Sequence, residues 1–132
     1  MEFLQVQNIA VVGISDKPER DSNKVAHYLI EQGFSVIPVN PALDQVLGLT
    51  CYPSLLAIPP ELKVDVVTIF RRPDQVEPVV QEAIQRGVKT VWMQLGVINP
   101  EAAAKAEAAG LEVVMDKCIK IEHGKWKENG AL

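Results

Sequence analysis

The sequence lacks the features that mark several large classes of protein. It has only two cysteines, Cys51 and Cys118, which are far apart and not in a CxxC pair, so neither a zinc site nor a disulfide framework is expected. No apolar run approaches the ~20 residues that cross a bilayer. The start, MEFLQVQNIA, lacks the basic and apolar regions of a signal peptide. We therefore expect a cytoplasmic protein with no membrane partner.

Positive charge is also scarce. The chain has 13 Lys and Arg against 17 Asp and Glu, for a net charge of -4. Because a nucleic-acid binder needs a basic surface, nucleic acid is not expected as a partner, and any anion site must be local. The 48% hydrophobic and 23% charged residues fit one globular domain over residues 1–132. We expect its core at 8–123 and a partly ordered tail at 124–132.

Apolar runs of strand length alternate with helical patterns. The runs are NIAVVGI (8–14), FSVIPV (34–39), VDVVTIF (64–70), KTVWMQL (89–95) and LEVVM (111–115). Their continuous hydrophobicity is typical of strands buried on both faces of a parallel sheet. Helical spacing between them predicts three helices that end at Gly33, Gly87 and Gly110. The third begins at Asn99 and Pro100.

This alternation predicts an α/β fold. We expect a Rossmann-like, doubly wound, five-stranded parallel sheet in the order 3-2-1-4-5, with helices on both faces. Residues 42–62, with their prolines and Gly48, predict an irregular crossover that contains a short strand at 49–52 and a turn of helix at 54–57. Ligands of such sheets bind beyond the carboxyl ends of the strands, where four loops begin.

The first loop, GISDKPERDSNK, carries a single glycine, Gly13. Asp21, Ser22 and Asn23 can each cap the next helix, whose free N–H groups and dipole would then form a seat for phosphate. Three cationic side chains surround this seat, namely Lys17, Arg20 and Lys24. The alternative is an ordinary connection bearing solvated charges. We favour the phosphate site, although a single glycine is a weak signal.

The second and third loops carry an amide and two guanidinium groups. Asn40 stands where NAD-binding proteins place an acid, which disfavours NAD and leaves NADP or a 3'-phosphorylated nucleotide open, although Asn40 and Pro41 also fit simple turn chemistry. Arg71 and Arg72 follow an apolar strand directly, and guanidinium groups bind phosphate in bidentate fashion. The structural alternative is an ion pair with Asp74 or Glu77.

The fourth loop and the last strand bring apolar surface and a thiol to the same edge. Gly96 permits close approach of a ligand, Gln94 is polar among apolar neighbours, and Trp92 is assigned to the core. Cys118 is more typical of a buried small hydrophobe than of a reactive thiol. His27 and His123 have no partner pattern, and no catalytic triad, HExxH or paired-carboxylate motif is visible.

Five segments of the chain carry a family resemblance, namely VGISDKPERDSNKVAHYL, GFSVIPVNP, VDVVTIFRRPDQV, KTVWMQLGV and AGLEVVMDKCIKIEH. Taken in order, from about Asn8 to His123, they closely resemble the small stand-alone CoA-binding proteins of bacteria. Those proteins are similar to the CoA-binding domain of the succinyl-CoA synthetase α-subunit.

The resemblance implies a role for each loop. The CoA phosphates would lie in the first loop, at Gly13, Ile14, Ser15, Asp16 and Lys17. The adenosine would lie beside Val39, Asn40 and Pro41. The nucleotide would run along Phe70 and Arg71, and the pantetheine arm would pass Met93, Gln94 and Leu95. Cys118 matches a recurrent cysteine near the end of the arm.

Two departures from the synthetase limit what the resemblance implies. The glycine-rich phosphate loop is absent, and Leu43 replaces a lysine of the second loop, which leaves Lys17, Arg20 or Lys24 as candidates for the 3'-phosphate contact. The synthetase's second domain, with its phosphorylated histidine, has no counterpart in these 132 residues. Ligase activity is therefore not expected.

Three hypotheses follow. The first is a non-catalytic binder of CoA or an acyl-CoA, monomeric or homodimeric, with phosphates at the first helix and Arg71, adenine between the first two loops and the thiol directed towards Cys118. The second is an acyl-CoA or thiol-transfer enzyme, which requires an exposed Cys118 thiolate. Lys117 and Lys120 would favour that thiolate, but no general base is evident. The third, an NADP-binding domain, conflicts with the missing GxGxxG motif.

Overall fold

Five parallel strands form the central sheet of the protein, whose computed structural model describes residues 1–130. They are β1 (Asn8–Val12), β2 (Ser35–Val39), β5 (Val66–Ile69), β6 (Thr90–Met93) and β7 (Glu112–Val114). Two short strands, β3 (Gln45–Val46) and β4 (Leu49–Thr50), pair antiparallel within the crossover. The predicted five-stranded α/β fold is confirmed.

The strand order is β2-β1-β5-β6-β7. Beyond β2, Tyr52 forms a parallel bridge with Val39, so the chain adds a third extended segment outside the second strand. Counted with that segment, the order is 3-2-1-4-5-6, which contains the predicted 3-2-1-4-5 pattern. The strand order reverses between β1 and β5, and this is the position at which α/β sheets open a crevice for ligands.

Four α-helices cover the two faces of the sheet. They are α1 (Asp21–Glu31), α2 (Val76–Arg86), α3 (Pro100–Ala108) and α4 (Ile119–Glu128), with single 3-10 turns at Phe3–Gln5 and Pro73–Gln75. Helices α2 and α3 pack on one face and α1 and α4 on the other, which gives two separate apolar clusters. As predicted, glycine follows α1, α2 and α3, and the Asn99 side chain caps α3 by accepting from Ala102 N at 3.0 Å.

The C-terminal segment differs from the prediction. The expected tail at 124–132 begins inside α4, which continues to Glu128, whereas residues 131 and 132 lie outside the described part of the chain. Ile119, His123 and Trp126 recur at helical spacing and pack against the α1 face. The sequence pattern hid this helix because a histidine supplies the middle apolar position. Within residues 1–130, no helix has the length and hydropathy needed to cross a membrane.

Candidate functional site

Gly13 brings the carboxyl ends of β1 and β5 into direct contact. Its N–H donates to Val39 O at 2.9 Å, and Phe70 N donates to Val12 O at 2.8 Å. Gly13 has a φ of +85°, and a Cβ at this position would lie 2.1 Å from Phe70 O. Because no side chain fits between the two backbones, this glycine fixes where the first loop leaves the sheet.

The first loop is folded by side chains that the sequence assigned to capping. Ser22 Oγ accepts from Ser15 N at 2.9 Å, and Asn23 Nδ2 donates to Ser15 O at 2.9 Å. Helix α1 therefore starts at Asp21 with Arg20 as its N-cap and no side-chain cap, which corrects the predicted capping role of Asp21, Ser22 and Asn23. The buried pair instead holds the loop across the start of the helix.

A polar cavity of about 470 Å³ lies between this loop and the start of α1. Six predicted residues line it, namely Gly13, Ser15, Lys17, Arg20, Ser22 and Phe70. Glu19 and Asp21 complete the lining, so two cations face two carboxylates. The N-terminal end of α1 adds its positive dipole end to this cavity.

An apolar cavity of about 340 Å³ adjoins the polar one. The two cavities share Asp21 and Phe70. Five predicted residues line the apolar cavity, namely Lys24, Phe70, Gln94, Leu95 and Cys118. The remaining lining comes from Asp21, Val25, Val97, Lys120 and Ile121. The structure thus joins a charged cavity and an apolar cavity at the edge where the strand order reverses.

Gln94 lines the apolar cavity and carries a buried hydrogen-bond donor that is not used within the described residues. Its side chain is only 3% exposed, and Oε1 accepts from Ile119 N at 3.2 Å, which ties the end of β6 to the start of α4. Among the described residues, Nε2 has no hydrogen-bond partner. Buried amide groups are rarely left unpaired, so this nitrogen is a candidate donor to a ligand.

The two thiols have different environments. Cys118 is half-buried in the wall of the apolar cavity, at the N-cap of α4. Cys51 is buried, and its Sγ lies 3.6 Å from Asn40 O, to which it donates. Burial raises the pKa of Cys51. Of these two thiols, Cys118 lines the apolar cavity and Cys51 does not.

Several predicted residues have structural roles away from the two cavities. Ile14 and Met93 are fully buried in the core. Asn40 links the first two loops, because it donates to Ile14 O at 2.8 Å and accepts from Ala42 N of its own loop at 2.8 Å. Arg72 is exposed and lies 3.6 Å from Asp74, the ion pair considered as its structural alternative. Gly96 N donates to Asp116 Oδ1 at 2.8 Å.

The remaining predicted site residues line two further cavities. Val39, Pro41 and Arg71 line a cavity of about 120 Å³ between the second and third loops. Asp16 and Asn23 line one of about 440 Å³ on the outer side of α1, together with Lys24. Arg71 Cδ would lie 3.4 Å from a Cβ on Gly13, so its aliphatic stem runs beside the first loop.

Some residues that line the apolar cavity were not predicted as site residues from the sequence. Lys120 and Ile121 belong to the first turn of α4, a helix that the sequence pattern did not reveal. Val25 of α1 both packs in the core and borders the cavity. The helical spacing of Ile119, His123 and Trp126 predicts α4 once His123 is counted as a core residue.

The chain matches a protein family and is similar to several known proteins. A family model described as a CoA binding domain matches residues 7–124. The uncharacterized protein YneT of Bacillus subtilis is 39% identical over 127 residues, which cover 96% of this chain and 93% of YneT. The ADP-forming acetate–CoA ligase II of Archaeoglobus fulgidus is 32% identical over 120 residues, covering 87% of this chain but only 17% of the ligase.

A solved structure shares the whole fold. A hypothetical protein from Pyrococcus horikoshii superposes with a TM-score of 0.89 at 46% identity, covering 92% of this chain and 84% of that one. The resemblance inferred from the five sequence segments is confirmed by the family match. The chain belongs to the CoA-binding domain family.

Proposed function

We propose that the protein binds CoA or an acyl-CoA across the two adjoining cavities and acts as a binder rather than a catalyst. The observation that carries this proposal is the shared wall of Asp21 and Phe70 between a polar, partly cationic cavity and an apolar one. CoA has the same two-part chemistry, with phosphates at one end and a long uncharged arm at the other. Both cavities fall in the size range of small-molecule sites.

The phosphates are assigned to the polar cavity. Lys17 and Arg20 supply positive charge there, and the start of α1 supplies backbone N–H groups and the positive end of the helix dipole. Glu19 and Asp21 offset part of that charge. We therefore expect binding that depends on ionic strength, because exposed charges in such a cavity are screened by salt.

The pantetheine arm is assigned to the apolar cavity. Phe70, Leu95, Val97 and Ile121 supply apolar surface for its methylene and dimethyl groups. Gln94 Nε2 would donate to one of its two amide carbonyls, which satisfies a buried donor that has no partner within residues 1–130. The thiol end of the arm would then lie towards Cys118.

The relatives support binding and not the ligase reaction. The acetate–CoA ligase of Archaeoglobus fulgidus is named for a reaction with CoA, but this chain matches only 17% of it. We therefore propose for this chain only the binding of CoA and not the ligase reaction. The two free thiols favour a reducing compartment, so we place this binding in the cytoplasm.

Thermal unfolding with CoA, acetyl-CoA, NAD and NADP tests the proposal. A ligand present at about 100 times its dissociation constant adds ~2.7 kcal/mol to the free energy of unfolding. We expect CoA and acetyl-CoA to raise the unfolding temperature and the nicotinamide nucleotides to leave it unchanged. A shift with NADP but not with CoA would contradict the proposal and favour an NADP-binding domain.

A matched pair of variants localises the phosphates. Replacing Lys17 and Arg20 together by glutamine should weaken CoA binding at least about tenfold, since each charged contact is worth about 1.5–3 kcal/mol. Arg72→Gln removes an exposed cation that lies outside both cavities and should leave the affinity unchanged. Equal affinity in both variants would remove the polar cavity from the proposed site.

A further inference from the structure

The apolar cavity combines a thiol with an unpartnered amide donor. Cys118 lines the cavity and is half-buried, so its sulfur borders the space that a ligand would fill. Gln94 lines the same cavity, is 3% exposed, and carries a buried Nε2 that has no partner in the described part of the chain. Two groups suited to the two ends of a pantetheine segment, an amide donor and a thiol, therefore share one cavity.

We propose that Cys118 is a covalent capture site, at which the protein forms a mixed disulfide with CoA. This inference rests on the proposed function, because the nucleotide must bind for its sulfur to be delivered to Cys118. The co-reactant is a disulfide of CoA, either symmetric or with another small thiol. Reduced CoA alone does not form the bond.

The reaction is a thiol–disulfide exchange. The Cys118 thiolate attacks the sulfur of the bound CoA moiety, a new sulfur–sulfur bond forms, and the bond to the other half of the small disulfide breaks. The departing thiolate takes up the proton that the Cys118 thiol released. One disulfide is consumed and one is formed, so no other oxidant is needed. Attack by a free thiol on the mixed disulfide reverses the step.

The surroundings of Cys118 favour an anionic disulfide. Lys24 and Lys120 line the same cavity, and Cys118 is the N-cap residue of α4, so the positive end of that helix dipole lies at the sulfur. Asp21 is the one carboxylate in the cavity lining. A disulfide that carries phosphates is thus attracted, whereas a small cationic disulfide such as cystamine gains nothing from the cavity.

Cys51 provides the contrast within the same chain. It is buried, donates to Asn40 O, and does not line the cavity. It therefore cannot take part in the capture, and it cannot attack the mixed disulfide from within the cavity. The bond to CoA should persist until an external thiol arrives.

The test follows modification by the intact mass of the whole protein. The reduced protein is mixed with CoA disulfide, glutathione disulfide or cystamine at equal concentration. In each reaction the mass gain of one corresponding thiol (CoA, glutathione or cysteamine) less two hydrogen atoms is timed. We expect CoA disulfide to react with Cys118 at least about tenfold faster than the other two, because binding supplies a high effective concentration. Cys118→Ser should remain unmodified, and Cys51→Ser should react like the natural chain.

A non-reactive competitor shows whether binding directs the reaction. S-methyl-CoA, a thioether that cannot exchange, should slow the modification by CoA disulfide and leave the slow reaction with cystamine less affected. Equal rates with CoA disulfide and glutathione disulfide would overturn the inference. Thermal unfolding of the unaltered chain with reduced CoA, which cannot form the bond, separates the two proposals. A stabilising shift without modification by CoA disulfide would overturn capture and leave CoA binding standing, whereas the absence of both would overturn both proposals.

Discussion

Tyr28 Oη lies 2.8 Å from His123 Nδ1, and this hydrogen bond joins α1 to α4 across 95 residues of sequence. The His123 ring is 3% exposed and is surrounded by the rings of Phe3, Phe34 and Trp126. Burial, with a smaller contribution from the charge of Lys127, lowers the pKa of His123. The helix that carries Cys118 and Ile121 is therefore held by a histidine that favours its neutral form.

Acidification should loosen this contact. Because the pKa of His123 is lower in the folded protein than its ordinary value of 6.5, the unfolded chain takes up the proton first as the pH falls. The stabilisation is fully present above about pH 6.5 and is lost progressively below it. Urea unfolding at about pH 7.5 and about pH 5.5 measures the effect.

Two variants separate His123 from the other histidine. His123→Phe removes the buried titrating group and should reduce the fall in stability between the two pH values. His27→Gln replaces a histidine that is exposed beside Glu31 and should leave that fall unchanged. Tyr28→Phe, which removes only the hydroxyl, should cost about 1 kcal/mol at neutral pH. An unaltered pH dependence in His123→Phe would refute the assignment.

Arg86 should be the main anchor of the crossover before β5. Its guanidinium donates to the carbonyl oxygens of four residues, namely Leu55, Ile58, Pro59 and Leu62. Arg86→Met leaves these oxygens without their charged donor and should lower the free energy of unfolding by about 3 kcal/mol. Arg72→Met, the same change at an exposed arginine, should cost less than about 0.5 kcal/mol. Similar losses from both would show that the network contributes little.

Gly13→Ala should destabilise the fold more than its backbone conformation alone requires. Gly13 and Gly96 have nearly equal φ angles of +85° and +83°, but only at Gly13 would a Cβ meet another backbone. The positive φ should cost about 1 kcal/mol in Gly96→Ala, and the added clash should raise the loss to more than about 2 kcal/mol in Gly13→Ala. Chemical denaturation compares them directly, and equal losses would exclude the clash.

Gln94→Glu probes the unused amide donor. The glutamate keeps an oxygen that can accept from Ile119 N, and it replaces Nε2 by an acceptor. At about pH 8 the affinity for CoA should fall at least about tenfold, the cost of a lost buried hydrogen bond. Gln81→Glu adds the same charge at an exposed position of α2 and serves as the control. Calorimetric titration of both variants gives the comparison, and unchanged CoA affinity in Gln94→Glu would contradict the assigned contact.

The sheet and most helix ends were predictable because their signals are local. Continuous runs of β-branched residues indicate strands that are buried in a parallel sheet. Gly87, in the left-handed conformation with a φ of +74°, ends α2 for a reason visible in one residue. The family resemblance was likewise visible in short segments.

Side-chain partners distant in sequence were not predictable. Ser22 and Asn23 have the composition of helix caps, but both are used to hold Ser15. Asn40 resembles a ribose ligand in the sequence, but in the structure it hydrogen-bonds Ile14 of the first loop and Ala42 of its own loop. His123, next to the predicted tail, showed no partner pattern in the sequence because its burial depends on aromatic rings from other parts of the chain. The roles of these side chains depend on tertiary contacts, which cannot be seen in the sequence of a single helix, strand or loop.

Asp21 and Phe70 line both cavities, and this shared wall affects how a ligand would be recognised. A ligand that fills both cavities gives up its translational and rotational freedom once instead of twice. Each half then holds the other near its cavity at an effective concentration of about millimolar. If the molecule is cut between its nucleotide and its arm, the two fragments lose that advantage even when both are present. Under the proposed function, the protein would thereby distinguish an intact ligand from its breakdown products without a separate contact for the bond that joins them.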